Sequence, residues 1–378
     1  MHISIIANGF QEDYMTNLLN NLYCKVDRLD FIGSSIHESR RIDAKVNFYN
    51  LRKSHDEKAS SLDKSIRILK YFYHLLNYIN HTEAKIIHVQ FIKFAIIEGI
   101  ILTLYIRLTG KKVVYTAHDI LPRSKNNFYN RLVYKIIYKL QNKILVHTEY
   151  LSSRIIKEFN IDSSKVSVIT HGLYKRIEDT KVTIETSRAY FKLAPNTTVL
   201  LFFGIIAEYK GFDVLIESLN SMKDRSEFQI LVAGKVLPEY KLKFDALIQS
   251  CKTKNTVLIL RYIRDEEVEY CFRASNVTVI PYKEASQSGV MLMSYAYGVP
   301  VIAPALGGFS EDIISGKTGY LFEPNNPKSL ADVLIKFKSQ WAFEDTSSLD
   351  IKNYAISNYS WDKTCNEIAN HYRHLLQT

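Results

Sequence analysis

The chain of 378 residues has few cysteines and no motif typical of zinc binding. Its four cysteines, Cys24, Cys251, Cys271 and Cys365, lie far apart, and no two of them form a C-x-x-C pair. This spacing argues against a structural zinc site and against a disulfide framework, and it fits a reducing cytosol. Hydrophobic residues make up 47% of the sequence, which is enough for about two domain cores and excludes global disorder.

Long hydrophobic runs are also absent. The most apolar segment, residues 94–106, contains Glu98 and is flanked by Lys93 and Arg107. A transmembrane helix needs about 20 predominantly apolar residues, so this segment is predicted to be a buried helix. The N-terminal sequence MHISIIANG has no basic region and no cleavage site, and it is predicted to be a first strand.

Positive charge is unevenly distributed along the chain, whose net charge is +10. Residues 1–185 carry 28 Lys and Arg against 18 Asp and Glu, whereas residues 186–378 carry 21 of each. The excess indicates an acidic partner for the first half, namely an anionic membrane, a nucleic acid or a phosphorylated substrate. Chance variation of surface charge is the alternative. A nucleic acid is the least favoured partner, because no recognised binding motif accompanies the charge.

Short apolar runs alternate with helical patterns in both halves. In the first half the predicted strands are 2–7, 29–32, 46–51, 86–89, 112–116, 143–147 and 165–170, and in the second half they are 199–203, 228–233, 257–260, 277–280 and 299–303. This alternation predicts the α/β class with two doubly wound parallel sheets. The polar run 175–187 is predicted to be the linker between them.

Residues 279–311 form the strongest candidate site in the second half. A predicted strand is followed by a polar loop and then by an apolar helix that begins near Ser288 and Gly289. Ser288 is a predicted N-cap, and a helix N-terminus suits a phosphate. A capped core helix without a ligand is the alternative. Lys210, in another strand-to-helix loop, could direct its ammonium group at a phosphate, or it could be a solvated surface lysine.

Two loops at predicted strand ends are candidate sites in the first half, because ligands of such sheets bind at the carboxyl ends of the strands. The turn Asn8-Gly9 has a single glycine and therefore lacks the dinucleotide pattern G-x-G-x-x-G. His118 and Asp119 follow the strand 112–116. The imidazole could bind a substrate or carry a proton, and the carboxylate could orient it or act as a base. The alternative is a packed histidine before a helix-capping aspartate.

The segment 120–148 contains no acidic residue. Its basic residues include Arg123, Arg131, Lys135 and Lys139. The last three recur at every fourth position and share one face of a predicted helix. Tyr134 and Tyr138 are predicted to add aromatic groups suited to an interface. The pattern favours a helix that docks on an anionic membrane surface, with a core-packed helix bearing solvated lysines as the alternative.

Four segments of the sequence resemble family 4 glycosyltransferases of the GT-B fold. They are FFGIIAEYKGFDVLIESL, ILVAGKV, the stretch from VIPYKEASQSG to LFEPNNP, and YTAHD. Shorter signals are HVQ at 88–90 and VITHGLY at 168–174. The resemblance implies two facing Rossmann-like domains with a cleft between them. Residues 1–180 would form the acceptor and membrane-facing domain, residues 181–358 the donor domain, and residues 359–378 a helix that crosses back to the first domain.

The resemblance also implies roles for individual residues. Lys210 matches the lysine that neutralises the donor diphosphate. The loop whose N–H groups hold the phosphates is matched by Ser288, Gly289 and Val290, and the predicted donor-binding set also includes Gly9, Ile263, Glu284 and Gln287. Ile263 matches the backbone contact to the nucleobase, and Gly9 matches a flexible turn beside the phosphates. His118 matches the histidine that touches the donor sugar.

The sequence departs from the family pattern at several positions. Family members usually carry two glutamates eight positions apart, where this chain has Ala285 and Met293, and Glu284 could replace the first only through a local shift. Ile205 or Ala207 stands where an arginine commonly accompanies the lysine. The SQSG loop is similar to that of a subgroup of the family. These departures favour, as an alternative, a non-catalytic subunit that binds sugar nucleotides.

The predicted function is that of a cytoplasmic glycosyltransferase, peripheral on the inner face of the cell membrane. It would move a sugar from a UDP- or GDP-sugar to a lipid-linked saccharide in cell-surface polysaccharide biosynthesis, with His118, Asp119 and Lys210 as catalytic residues. No D-x-D motif is present, and metal independence is expected. Retention of the anomeric configuration is favoured, and inversion would require a base such as Asp119. A sugar-nucleotide epimerase of the same fold is a further alternative.

Overall fold

Two units of similar size make up the chain, Met1–Tyr174 together with Tyr359–Thr378, and Lys175–Asn358. They are called here the first and the second unit. The structure is a computed structural model that describes residues 1–7, 9, 11–53, 60–121, 126–173, 182–195, 197–253, 256–341 and 345–377. The boundary predicted at 180/181 falls on residues 174–181, which lie outside the described residues.

Each unit contains one parallel sheet. The strands of the first unit are β1 His2–Ala7, β2 Arg28–Ile32, β3 Val46–Tyr49, β4 Ile86–Phe91, β5 Lys112–Thr116, β6 Lys143–Val146 and β7 Val166–Val168. Those of the second unit are β8 Thr198–Phe203, β9 Phe228–Ala233, β10 Thr256–Ile259, β11 Val277–Val279, β12 Val301–Pro304 and β13 Gly319–Phe322. The orders are β3-β2-β1-β4-β5-β6-β7 and β10-β9-β8-β11-β12-β13. In both sheets the order reverses direction beside the first strand, as in a doubly wound fold.

Helices connect most pairs of successive strands. In chain order they are α1 Glu12–Leu22, α2 Ser61–His81, α3 Thr103–Leu108, α4 Phe128–Leu140, α5 Glu149–Phe159, α6 Ile184–Tyr190, α7 Phe212–Ser221, α8 Lys241–Ser250, α9 Asp265–Arg273, α10 Gly289–Ala296, α11 Phe309–Asp312, α12 Pro327–Gln340, α13 Asp345–Asn358 and α14 Trp361–Gln377. A π-helical segment, Ile97–Leu102, leads directly into α3.

Helices cover both faces of the first sheet, so its strands are apolar on both sides. The side chains of Ile3 and Ile6 in β1 are both buried, but in different core clusters. The cluster that contains Ile3 also contains Ile368 and Tyr372 of α14. The C-terminal helix is therefore part of the core of the first unit. Continuous apolar runs are typical of strands in such a sheet.

The prediction of two doubly wound parallel sheets is confirmed. The strand β13 was not predicted from the sequence. It has only four residues, begins with a glycine and lies at the edge of its sheet, so its apolar pattern is weak.

The prediction of a buried helix at residues 94–106 is wrong in part. One face of the π-helical segment and of α3 is buried, but the opposite face is exposed and apolar, and Ile101 is 57% exposed. Glu98 lies in the first turn of the π-helical segment. Its buried carboxylate accepts hydrogen bonds from the N–H groups of Lys93 and Phe94 at 2.6 and 3.0 Å. In the part of the chain that the structure describes, no helix is both long and apolar enough to cross a membrane.

Candidate active site

The loop after β11 leads into the N-terminus of α10 in the second unit. Ser288 is the N-cap, and its buried hydroxyl accepts a hydrogen bond from the N–H of Met291 at 3.4 Å. Gly204, directly after β8, has φ +99°, and a Cβ added there would lie 3.6 Å from Cγ2 of Val290. The carboxyl end of β8 therefore lies beside the first turn of α10, where N–H groups outside the helical ladder can bind a phosphate.

Lys210 lies in the loop between β8 and α7, and its side chain is buried, at 9% exposure. Its ammonium group donates a hydrogen bond to the hydroxyl of Tyr282 and lies 3.7 Å from the centroid of that ring. The ring of Tyr209 is 5.2 Å away. Aromatic faces stabilise a cation, but they replace only part of its hydration. A buried ammonium group in this setting favours an anionic ligand.

The loop that carries Lys210 is fixed to the loop that leads into α10. Gly211 has φ +70°, and a Cβ added there would lie 1.8 Å from the carbonyl oxygen of Pro281. The N–H of Lys283 also donates to the carbonyl oxygen of Tyr209 at 2.8 Å. Only glycine permits this approach, so the loop that carries Lys210 and the loop that leads into α10 are held close together.

Two further lysines near this loop are neutralised by carboxylates. Lys283 lies 2.8 Å from Glu208 and 2.6 Å from Asp213, and Lys243 lies 2.7 and 3.1 Å from the same two residues. Burial raises the pKa of Asp213, but hydrogen bonds from Lys283 and Lys243 outweigh this effect and lower its pKa. The charges of Lys283 and Lys243 are therefore already offset by carboxylates.

The other predicted donor-binding residues of the second unit are distributed along two loops. Ile263 is buried between β10 and α9, beside Arg261, which forms a bidentate ion pair with Glu267 at 2.6 and 2.7 Å. Glu284 is exposed, and Gln287 is half-buried. The roles assigned to these residues stay predictions.

Four imidazoles gather at the carboxyl edge of the first sheet. His88 lies in β4, and His118, His147 and His171 follow β5, β6 and β7. The ring of Tyr14, from α1, lies 5.0, 5.9 and 5.3 Å from the rings of the last three. Among the described residues, no three His, Cys, Asp or Glu side chains are placed to share a metal ion. Of this cluster, the sequence predicted a role for His118 alone.

Burial lowers the pKa of all four imidazoles. The pKa of His88 falls to about 3 and that of His171 to about 4. The pKa values of His118 and His147 fall well below the ordinary value, because burial and the neighbouring imidazoles act in the same direction. His118 is therefore neutral at pH 7. Of its two predicted roles, hydrogen bonding to a substrate fits this state, whereas carrying a proton near neutral pH does not.

Two other predicted residues of the first unit flank this edge. Asp119 is half-buried and directly follows His118. The N–H of Gly9 donates to the carbonyl oxygen of Ala7 at 2.9 Å, which forms a tight turn after β1. Asn8 lies outside the described residues. The catalytic role of Asp119 and the phosphate contact of Gly9 stay predictions.

The predicted basic helix is α4. Arg131 is paired with Glu158 at 2.7 Å, and its guanidinium group lies 5.3 Å from the ring of Phe159. Lys139 is exposed, and Lys135 is half-buried. Arg123 lies outside the described residues. The prediction that Tyr134 and Tyr138 face an interface is wrong, because both rings are buried in the core and the hydroxyl of Tyr138 donates to the carbonyl oxygen of Ile120 at 2.7 Å.

Apolar side chains are exposed on α4 and on the neighbouring π-helical segment and α3. The π-helical segment and α4 pack closely, since a Cβ on Gly99 would lie 2.5 Å from Cδ1 of Ile137. Phe128 is 83% exposed at the start of α4. We call the following set the exposed apolar surface: Ile97, Ile101, Leu104, Phe128, Leu132 and Ile136. Isolated apolar residues are normal on a protein surface, whereas a group on adjacent helices indicates an interaction site.

Comparison with known proteins agrees with this architecture. Residues 19–174 match the family model Glycosyltransferase Family 4, and residues 183–357 match the family model Glycosyl transferases group 1. An uncharacterised glycosyltransferase of Methanocaldococcus jannaschii is 24% identical over 234 residues, which cover 61% of this chain and 60% of the relative. The chain thus spans less than two thirds of the length of this relative.

Two solved structures share the fold over nearly their whole length. Sucrose-phosphate synthase from Thermosynechococcus elongatus is 17% identical with a TM-score of 0.78, covering 100% of this chain and 99% of that one. Anabaena Alr3699/HepE in complex with UDP is 16% identical with a TM-score of 0.77, covering 99% and 100%. The two family models and this fold identify the chain as a member of the family 4 type of GT-B glycosyltransferases. The predicted fold class and enzyme class are thereby confirmed.

Proposed function

We propose that the protein transfers a sugar from a nucleotide-sugar donor without a metal ion, and that the second unit binds the donor diphosphate. The observation that carries this proposal is the buried ammonium group of Lys210, on a loop fixed to the one that leads into α10. Negative charge develops on the departing diphosphate, and Lys210 and the first-turn N–H groups of α10 would stabilise it. UDP-sugars are preferred over GDP-sugars as candidates, because HepE structures hold UDP and UDP-glucose.

In the proposed reaction the neutral His118 hydrogen-bonds the donor sugar. With retention, the donor phosphate takes the proton of the acceptor hydroxyl on the face that the leaving group vacates. With inversion, a protein base is needed, and Asp119 would be that base. Retention is our proposal, and the anomeric configuration of the product, read from its proton NMR coupling, distinguishes the two pathways.

The proposed acceptor is a lipid-linked saccharide in cell-surface polysaccharide biosynthesis. Part of the exposed apolar surface lies on α4, the helix that also carries Lys135 and Lys139. Apolar side chains can insert between headgroups while each basic residue near anionic lipid adds about 1 kcal/mol. This combination supports peripheral docking of the first unit on the cytoplasmic leaflet, where such an acceptor would be displayed.

A thermal-shift screen against UDP-, GDP- and dTDP-sugars tests the donor proposal. A donor at about 100 times its dissociation constant should stabilise the protein by roughly 2.7 kcal/mol. Lys210→Met should lose most of this shift. Lys241→Met should keep it, because Lys241 is exposed and paired with Asp245. The proposal fails if no nucleotide sugar shifts the midpoint, or if both variants respond like the unaltered protein.

Co-sedimentation with vesicles tests the membrane proposal. The vesicles would contain phosphatidylglycerol in one series and phosphatidylcholine alone in the other. Ile101→Glu combined with Leu132→Glu should abolish binding to the anionic vesicles. Leu242→Glu is the control, because Leu242 is an exposed leucine on α8 of the second unit, outside the exposed apolar surface. Equal binding by the double variant and the control would refute docking through the exposed apolar surface.

The absence of the two family glutamates supports a second candidate, a subunit that binds sugar nucleotides without turning them over. Ala285 and Met293 have no acidic group to contact a sugar. This candidate predicts a thermal shift but no hydrolysis or transfer of the donor. A sugar-nucleotide epimerase would instead convert the donor to its epimer without releasing the nucleotide.

A further inference from the structure

A chain of hydrogen bonds joins His118 to the C-terminal helix α14. The side chain of Gln90 lies between two imidazoles, with its amide nitrogen 3.2 Å from Nε2 of His88 and its amide oxygen 3.3 Å from Nε2 of His118. Nδ1 of His88 lies 2.5 Å from the hydroxyl of Tyr372. Nε2 of His88 also lies 2.7 Å from Oγ1 of Thr116.

The contacts of the amide determine which nitrogen of each imidazole carries the proton. An amide N–H group only donates, so Nε2 of His88 must accept from Gln90. Burial keeps the pKa of His88 at about 3, and the neutral ring therefore has its proton on Nδ1, which donates to the hydroxyl oxygen of Tyr372. The amide oxygen only accepts, so Nε2 of His118 carries a proton and donates to Gln90. Nδ1 of His118 is then the acceptor nitrogen.

In His147 and His171 the ring proton is on Nδ1, whereas in His118 it is on Nε2. Nδ1 of His147 donates to the carbonyl oxygen of Ile169 at 3.3 Å, while its Nε2 accepts from the hydroxyl of Tyr14 at 3.2 Å. Nδ1 of His171 donates to the carbonyl oxygen of Gly172 at 2.7 Å. With the Gln90 amide oriented as in the structure, these contacts give His118 a proton on Nε2 and the other three imidazoles a proton on Nδ1.

We propose that Gln90 is a positioning residue for His118, and that Tyr372 of α14 sets the orientation of Gln90 through His88. The chain holds the imidazole of His118 with Nδ1 as a hydrogen-bond acceptor, which suits a hydroxyl group of the donor sugar. The contact with the sugar rests on the proposed function, whereas the tautomer of His118 does not depend on it.

Removal of the Tyr372 hydroxyl should exchange the donors and acceptors along the hydrogen bonds that join His88, Gln90 and His118. In Tyr372→Phe the N–H at Nδ1 of His88 has no acceptor, and a buried unsatisfied donor is costly. The ring can regain its hydrogen bonds by carrying the proton on Nε2. Oγ1 of Thr116, 2.7 Å away, can accept from this N–H, but the amide nitrogen of Gln90 faces it as a second donor. The amide of Gln90 then turns over, so that its oxygen accepts from His88 and its nitrogen donates to Nε2 of His118. His118 is thereby left with its proton on Nδ1, which would donate to the sugar rather than accept.

Long-range proton–nitrogen NMR of the full chain labelled with 15N-histidine measures these tautomers, because protonated and unprotonated ring nitrogens differ in chemical shift. His118→Ala identifies the resonances of His118. We expect a proton on Nε2 of His118 in the unaltered protein, a proton on Nδ1 in Tyr372→Phe, and a mixture of both in Gln90→Leu. Tyr78→Phe is the control and should match the unaltered protein, since the Tyr78 hydroxyl bonds Asp30 and Ser4 at 2.6 and 2.5 Å, outside this chain.

Donor turnover supplies the functional readout. In Tyr372→Phe the kcat should fall about tenfold, the effect of one misdirected hydrogen bond, with the KM for the donor changed by less than about twofold. A proton on Nδ1 of His118 in the unaltered protein, or a tautomer that neither Tyr372→Phe nor Gln90→Leu alters, overturns the proposal. A switched tautomer with unchanged kcat overturns the role toward the sugar. If the tautomers switch as expected but the unaltered protein turns over no nucleotide sugar, the proposed function is wrong. The positioning of His118 by Gln90 is then still supported.

Discussion

The two units have the same kind of sheet but very different side chains at its carboxyl edge. All 11 histidines lie in residues 1–174 and 359–378, and residues 175–358 contain none. In the first unit, neutral imidazoles pack around Tyr14. In the second unit the corresponding edge contains a buried lysine, a helix N-terminus and glycines that permit close approach of the backbone.

This difference indicates two kinds of recognition on one architecture. Neutral rings with fixed tautomers offer directional donors and acceptors, which suit hydroxyl groups. A desolvated ammonium group beside a helix N-terminus offers positive potential, which suits a diphosphate. The parallel sheet supplies the position of each site, and the residues at the strand ends supply its chemistry.

The largest effect should follow loss of the cation from the second unit. Lys210→Met should lower the kcat for donor turnover by about 10²–10³, as found when one group that stabilises transition-state charge is removed. Lys241→Met, which removes an exposed and paired cation, should change kcat by less than about threefold. Steady-state kinetics with a radiolabelled donor would measure both. If the two variants behave alike, positive charge at this edge does not drive the reaction.

As the pH is lowered, the first unit should lose stability at a higher pH than the second unit. The folded-state pKa of His171 is about 4, below the ordinary value near 6.5, so the unfolded chain binds more protons in this window. The stabilisation is therefore complete above about pH 6.5 and is lost as the pH falls toward 4, at about 1.4 kcal/mol per pH unit for each such imidazole. Hydrogen exchange as a function of pH should show opening of the first unit in this window. The second unit contains no histidine, so imidazole titration does not change its stability.

Single-residue variants isolate the contribution of His171. In His171→Asn an amide can replace the donor to Gly172, and the acid slope of the first unit should become shallower by up to about 1.4 kcal/mol per pH unit. His74→Asn, which removes an exposed imidazole, is the control for the substitution itself. An identical slope in all three proteins would show that buried imidazoles do not limit acid stability.

A backbone change should disrupt the second edge without altering its charge. Gly211→Ala places a Cβ 1.8 Å from the carbonyl oxygen of Pro281 at φ +70°, so the loops must separate, and we expect a loss of about 2 kcal/mol or more. Gly316→Ala is the matched control, because Gly316 has φ +77° with nothing within 4 Å of an added Cβ, and about 1 kcal/mol should be lost. Urea denaturation of both variants gives the comparison. Equal losses would mean that the approach of the two loops contributes nothing to stability.

The site residues at the carboxyl edge of the second sheet were easier to predict from the sequence than those of the first sheet, for a physical reason. Ser288 and Gly289 belong to one local pattern of strand, loop and helix, and Lys210 lies in another such loop, so each could be recognised from its neighbours along the chain. The imidazole cluster is assembled from four strand ends and α1, and no local period links Tyr14 to His171. The partner of Lys210, Tyr282, was missed for the same reason, although both follow strand ends.

The exposed apolar surface was missed because helical periodicity identifies apolar positions without showing which of them face the core. The apolar periodicity of α4 includes Leu132 and Ile136 as well as Val133 and Ile137. Only Val133 and Ile137 of these four are buried, and Tyr134 and Tyr138 complete the buried face. Only packing against the rest of the first unit distinguishes these faces.

The smallest predicted effect compares two cations of α4. Lys139 is exposed, whereas Arg131 is paired with Glu158 and lies against Phe159. Lys139→Gln should weaken binding to phosphatidylglycerol vesicles about fivefold at low salt, because an exposed basic residue near anionic lipid contributes about 1 kcal/mol. Arg131→Gln should weaken binding less, since Glu158 already offsets the charge. Both effects should shrink at 0.5 M salt, where exposed charges are screened over a few ångströms. A larger loss for Arg131→Gln would show that the ion pair with Glu158 opens on the membrane, and that Arg131 then turns to the lipid.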